Sequence, residues 1–321
     1  MKRVLSIISI LILVLVLLLR LRPSNLQELD VLKEHHTSET SAFFTYNGHE
    51  YHYTQKGQGI PIVFIHGLAG NAFMWDTLIN KIDSGYQCFA LDLPGFGLSD
   101  LDEQLANDDL IDYFLGVFKA FLAKKNIDRF HLAGSSMGGY ISMEITNNLA
   151  NKVQSLTLSN PLCYDVKKVG GVFAHLSQSL LFDLVQDKGL PLWASRIIFS
   201  NTTVFPMADK DIRMRCLLNN KKITIDFIQI LMKQRALVKN ELAQKIKVPT
   251  LIIWGNEDRV IAPEYAQRLQ SDISKAILRL YKNIGHLSFY ENVAQFKSDM
   301  MGFIKNLPDS DIQTLTQVKP L

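Results

Sequence analysis

The sequence predicts an α/β protein with a mostly parallel central sheet, helices on both faces and one helical insertion. Two observations carry this. Continuous apolar runs, Ile62-Val63-Phe64-Ile65 and Leu251-Ile252-Ile253-Trp254, lack the alternation of a strand with one wet face, so they read as strands buried on both sides. Between such runs lie helical patterns, Leu110 to Lys125, Met137 to Ala150 and Pro263 to Gln270, and strand–helix alternation of this kind implies parallel strands joined by covering helices.

The chain has 321 residues, 47% hydrophobic and 20% charged, which suits a large buried core and excludes a disordered chain. A formal net charge of +3 without a long Lys/Arg run gives no footprint for nucleic acid. Three cysteines, Cys88, Cys163 and Cys216, make no closed disulfide framework and no metal-binding spacing, so they read as small buried hydrophobes, with a Cys163–Cys216 bridge as the alternative.

Taken in order, Lys2 and Arg3 precede an uncharged stretch from Val4 to Leu19, closed by Arg20, Leu21 and Arg22 with no small-residue cleavage site. A helix over that stretch would be roughly 24 Å long, a little short of a bilayer core, with arginines able to snorkel over the deficit. The expectation is a single-pass N-terminal anchor over residues 1–22, a membrane partner for the chain, with the domain outside the cytoplasm; a cleaved signal peptide is the alternative. Residues 23–41, rich in Ser, Glu, Thr and His, read as a stalk. The core spans 42–160 and 246–307. It opens with a hairpin around Asn47-Gly48, a dipeptide suited to a tight turn with positive φ. From 161 to 245 no core strand is evident, and apolar residues such as Phe173, Leu180, Trp193 and Phe199 suggest a helical lid. The core resumes with the strands Val248 to Trp254 and Ala276 to Ile284 and a final helix from Leu287 to Asn306, before a tail over 308–321.

Chemistry concentrates at strand ends. Gly134-Ser135-Ser136-Met137-Gly138-Gly139 joins a strand to a helix with the Gly-x-Ser-x-Gly spacing of a nucleophile elbow. Such a turn leaves no room for side chains at Gly134 and Gly138 and holds the serine in a strained conformation above the sheet, at the positive end of a helix. Ser136 is therefore the candidate nucleophile, and Ser135 its neighbour on the substrate side. A serine needs a base to take its proton and a carboxylate to orient that base. Among eight histidines, His286 follows a core strand through Gly285, whereas His131 lies inside the elbow strand, His175 in the lid, and His49 and His52 on the first hairpin. Asp258 follows the Leu251 to Trp254 strand and is the candidate acid, with Asp165 as the competitor beyond the Val153 to Ser159 strand. The backbone N–H groups of Met137 and Leu68 would form an oxyanion hole, with His66 and Gly67 shaping its loop and the substrate side.

The motifs His66-Gly67, Asp92-Leu93-Pro94-Gly95-Phe96-Gly97-Leu98-Ser99, Gly134 to Gly139, Trp254-Gly255-Asn256-Glu257-Asp258 and Gly285-His286 occur in an order that resembles the α/β-hydrolase superfamily from Ala42 to about Leu307. The resemblance implies a lid-bearing serine esterase or lipase acting on a small-molecule or lipid ester, needing no metal or organic cofactor. Asp92 would be structural, and serine at the elbow argues against epoxide hydrolases and haloalkane dehalogenases, which use aspartate there. A carbon–carbon bond hydrolase would use the same triad, with Arg196 or Arg213 receiving a substrate carboxylate. A non-catalytic binding protein on this fold remains the alternative from another class.

Overall fold

The computed structural model describes residues 29–68, 70–102, 110–164, 199–200 and 241–308. Eight strands form one sheet in the order β1-β2-β4-β3-β5-β6-β7-β8. They are β1 (Ser41–Tyr46), β2 (His49–Gly57), β3 (Gly59–Ile65), β4 (Gly85–Leu91), β5 (Phe130–Ser135), β6 (Val153–Ser159), β7 (Thr250–Gly255) and β8 (Ala276–Tyr281). The pairs β1–β2 and β2–β4 are antiparallel, and every other pair is parallel. The first hairpin turns at Asn47 and Gly48, whose φ values of 49° and 82° are those this dipeptide tolerates.

Alternation along each parallel strand sends neighbouring side chains to opposite faces, and both faces are covered. Val63, Ile65, Ile252 and Trp254 pack with the helices α3 (Leu110–Lys125), α4 (Met137–Asn148), α5 (Leu242–Lys245) and α6 (Glu264–Asp272). Ile62, Phe64, Leu251 and Ile253 pack on the other side with the 3-10 turn Ala72–Trp75, the short helices α2 (Asp76–Ile79) and α7 (Ser288–Glu291), and α8 (Val293–Lys305). This double burial is why the runs show no polar alternation, and each such side chain contributes about 1.5–3 kcal/mol.

Two differences from the sequence expectation have physical causes. The final helix is broken at Asn292, with φ −136° and ψ 65°, whose side chain accepts the Gln295 N–H and so caps α8. Within the segment read as a stalk, Leu29–His36 forms the first helix, which we label α1. One buried apolar residue and one ion-paired lysine fix it: Leu32 is fully buried in a cluster with Phe73 and Leu98, and Lys33 Nζ lies 3.1 Å from Glu50 and 3.0 Å from Asp100, too little apolar surface to leave a periodic pattern. The membrane location requires correction. Among the described residues no helix is long and apolar enough to cross a membrane, and the stretch 1–22 lies outside them, so the anchor, the membrane partner and the side of the membrane are not retained. The lid expected over 161–245 likewise lies outside the described residues except for 161–164, 199–200 and 241–245.

Cys88 and Cys163 are free and buried, and burial raises both thiols, Cys88 to about 12, which makes them poor nucleophiles; Cys216 lies outside the described residues. His131 is a buried core residue bonded through Nδ1 to Ser155 Oγ at 2.8 Å. Burial pushes its pKa down from 6.5 to about 4. Below pH 6.5 the unfolded chain binds a proton that the folded chain refuses, so this site is expected to remove about 3 kcal/mol of stability as pH falls from 6.5 to 4. Urea unfolding at pH 7 and 4.5 tests this, and His131→Gln should flatten the decline.

Candidate active site

The elbow's geometry follows from its glycines. Ser136 adopts φ 55° and ψ −123°, a strained backbone for a residue with a side chain, between the end of β5 and the start of α4. A Cβ on Gly138 would lie 2.2 Å from the His66 carbonyl oxygen, and one on Gly134 would lie 2.4 Å from the Gly138 carbonyl oxygen, so neither position has room for a side chain. Ser136 is anchored on both sides: its N–H donates to Ser159 O at 3.0 Å, and its carbonyl oxygen accepts from Leu162 N at 2.8 Å. Ser136 is partly exposed, whereas Ser135 is buried.

The loop after β3 runs against Ser136. A Cβ on Gly67 would lie 2.9 Å from Ser136 Cβ and 3.5 Å from Oγ, which puts Leu68 one residue beyond the closest approach. Met137, as the first residue of α4, carries an N–H without an intrahelical acceptor. His66 is fully buried; its Nδ1–H donates to Gly67 O at 2.7 Å, and Nε2 accepts the Leu93 N–H at 3.0 Å. Burial lowers its pKa, in keeping with a neutral ring whose unprotonated Nε2 accepts the Leu93 N–H.

Asp258 and His286 meet at the carboxyl edge of the sheet. His286 Nδ1 lies 2.8 Å from Asp258 Oδ2, and the carboxylate is fully buried while the imidazole is 7% exposed. Asp258 Oδ1 accepts the Val260 and Ile261 N–H groups at 2.8 and 2.9 Å, so the loop's own backbone orients it. The two loops are pressed together, because a Cβ on Gly255 would lie 2.2 Å from Gly285 O. With Nδ1 donating to the carboxylate, Nε2 is left as the acceptor nitrogen of a neutral ring.

Asn160 was missed by sequence reasoning. Fully buried at the end of β6 with φ 45°, it donates from Nδ2 to Asp258 Oδ2 at 2.8 Å and to Gly285 O at 3.3 Å. The preceding residue, Ser159, holds the Ser136 N–H and pairs with Ser288 Oγ at 2.8 Å. Ser159 and Asn160 thus tie the elbow, acid loop and histidine loop into one cluster. An Asn-Pro pair just past a buried strand was the available signal, since Asn tolerates positive φ. Asp165 lies outside the described residues.

A second Ser-His-Asp chain lies elsewhere. His52, fully buried, contacts Asp92 Oδ2 at 2.6 Å through Nδ1 and Ser41 Oγ at 2.9 Å through Nε2. Asp92 also accepts the Ala72 N–H at 2.5 Å and the Leu98 N–H at 2.8 Å. Ser41 begins an edge strand rather than a helix, and the network braces the loops around His66 and Asp92. Among the described residues no group of three or more His, Cys, Asp or Glu is arranged to hold a metal ion.

A family model described as the alpha/beta hydrolase fold matches residues 60–293, more than two thirds of the chain. The protein belongs to the α/β-hydrolase fold family. Its sequence is 26% identical over 274 residues, 79% of this chain and 90% of the relative, to a 2-hydroxy-6-oxononadienedioate/2-hydroxy-6-oxononatrienedioate hydrolase of Escherichia coli. An esterase of Exiguobacterium antarcticum superposes with TM-score 0.69 at 21% identity, covering 83% of this α/β hydrolase and 99% of the esterase. A 2-hydroxy-6-oxo-6-phenylhexa-2,4-dienoate hydrolase of Rhodococcus superposes with the same TM-score, 0.69, at 15% identity, covering 83% and 98% of the two chains. The enzyme is thus a hydrolase by family, and the equal fit of an esterase and a dienoate hydrolase reflects the shared fold.

Proposed function

We propose that the enzyme hydrolyses carboxylic esters through Ser136, His286 and Asp258, with an apolar acyl group as substrate. The observation that carries this reading is the strained Ser136 at the head of α4, tied through Ser159 and Asn160 to the two loops on which a buried carboxylate holds the His286 imidazole. Ser136 Oγ attacks the ester carbonyl while His286 Nε2 takes its proton. The oxyanion is received by the N–H groups of Met137 and Leu68. Collapse expels the alkoxide, which leaves as the alcohol with the proton from His286, and water then cleaves the acyl-serine by the same sequence. Met137 and Leu287 follow Ser136 and His286 in the chain, Leu162 donates its N–H to Ser136 O, and Leu68 follows the Gly67 that lies against Ser136, while the carboxylates Glu257 and Glu291 stand on the acid and histidine sides. These suit a neutral acyl group better than a dicarboxylate.

Carbon–carbon bond hydrolysis is the second reading, favoured by the relationship to the Escherichia coli dienedioate hydrolase. It calls for a cation to receive a substrate carboxylate; Arg196 and Arg213, the residues suggested for this, lie outside the described residues. A p-nitrophenyl ester series from acetyl to palmitoyl, with Ser136→Ala as control, separates the readings. Serine-dependent turnover peaking at one chain length is expected. No ester turnover, together with serine-dependent decay of a dienoate chromophore, would overturn ester hydrolysis in favour of carbon–carbon cleavage.

A further inference from the structure

The carboxylate of Glu291 grips the histidine loop from behind. Glu291 ends α7, two residues after Phe289, whose ring stacks on Trp75 at 3.9 Å and 25° and fixes that turn in the core. It is 8% exposed. Oε1 accepts the Gly285 N–H at 2.9 Å, and Oε2 accepts the Ser200 N–H at 2.9 Å. The Gly285 carbonyl is held by Asn160, so both peptide groups of the residue preceding His286 are restrained. Ser200 makes a further contact, donating from Oγ to Glu257 on the acid loop, while Phe199 packs on Tyr290 of α7 with ring centroids 6.0 Å apart. One dipeptide, 199–200, is therefore attached to both loops that carry the base and the acid.

We propose that Glu291 is a positioning residue for His286, fixing the direction of the imidazole through the Gly285 peptide and joining that loop to Ser200. The inference rests on the triad reading given above. A carboxylate is suited to this role because it accepts two N–H groups at once, with charge-assisted strength. A glutamine offers one oxygen and turns an NH₂ group towards the other donor.

The test compares the full-length wild type with Glu291→Gln, Glu291→Asp and Ser136→Ala on the best p-nitrophenyl ester, with thermal unfolding of each. For Glu291→Gln the expected result is a loss on the order of 10- to 100-fold in kcat at little-changed KM, the size a misplaced catalytic group produces. Glu291→Asp, which keeps both carboxylate oxygens, should recover part of kcat. An unchanged kcat in folded Glu291→Gln would overturn the proposal, as would a loss of kcat that tracks only a lowered melting temperature. Activity retained by Ser136→Ala would instead sink the triad reading itself, so the two failures are distinct.

Discussion

Replacing Ser136 by Ala is expected to abolish ester turnover, a loss on the order of 10⁶ in kcat where serine and histidine act as a unit, while leaving the fold intact. The fold should survive because alanine retains the Cβ that the turn already accommodates at φ 55°, and because the bonds to Ser159 and Leu162 are made by the Ser136 backbone. Thermal unfolding of the variant is therefore expected to match the wild type within a few degrees. The comparison matters because Ser135 is adjacent and Ser41 heads its own hydrogen-bonded His-Asp chain. Turnover retained by folded Ser136→Ala would move the nucleophile elsewhere.

Asp258→Asn carries the second largest expected effect, a fall of about 10⁴ in kcat, the size seen when a triad imidazole takes the wrong tautomer. Asp258 accepts on both oxygens, from Val260 and Ile261 on one and from His286 and Asn160 on the other. An asparagine that keeps its oxygen on the two backbone N–H groups must turn its NH₂ towards His286 Nδ1 and Asn160 Nδ2, which requires a lone pair on Nδ1. The proton then resides on Nε2, where it blocks acceptance of the serine proton. Steady-state kinetics of Asp258→Asn and Asp165→Asn check this. A collapse of activity in Asp165→Asn with Asp258→Asn still active would transfer the role to Asp165.

Where steric demand dictates residue type, the sequence was legible. Gly134 and Gly138 announce the elbow because any side chain there would strike backbone, and the apolar runs at Ile62 and Leu251 announce strands because both faces are covered. The meeting of Asp258 with His286 followed from chain order along a parallel sheet, whose carboxyl ends lie at one edge. Contacts that depend on tertiary placement left little trace. Asn160 and Glu291 are ordinary polar residues until β6 and α7 bring them to Gly285. His52 looked remote on its hairpin, but the antiparallel pairing of β2 with β4 brings it to Asp92, whose N–H donates to His52 O at 3.0 Å. The first helix buries one leucine and is tied by Lys33 to Glu50 and Asp100, and a single buried apolar residue has no periodicity to read. The uncharged run near the start reads clearly as hydropathy, yet hydropathy alone does not establish a membrane location, and no helix among the described residues supports one.

The central claim is that Ser136 is the activated nucleophile, and the most direct test is covalent labelling of the native enzyme with a fluorophosphonate, followed by peptide mass mapping. Expulsion of fluoride by an activated serine leaves a phosphonylated residue that marks the nucleophile. The account predicts stoichiometric modification at Ser136 and at no other serine, lost in His286→Ala. Modification at Ser135 or Ser41, or an unlabelled protein that still turns over ester, would contradict it.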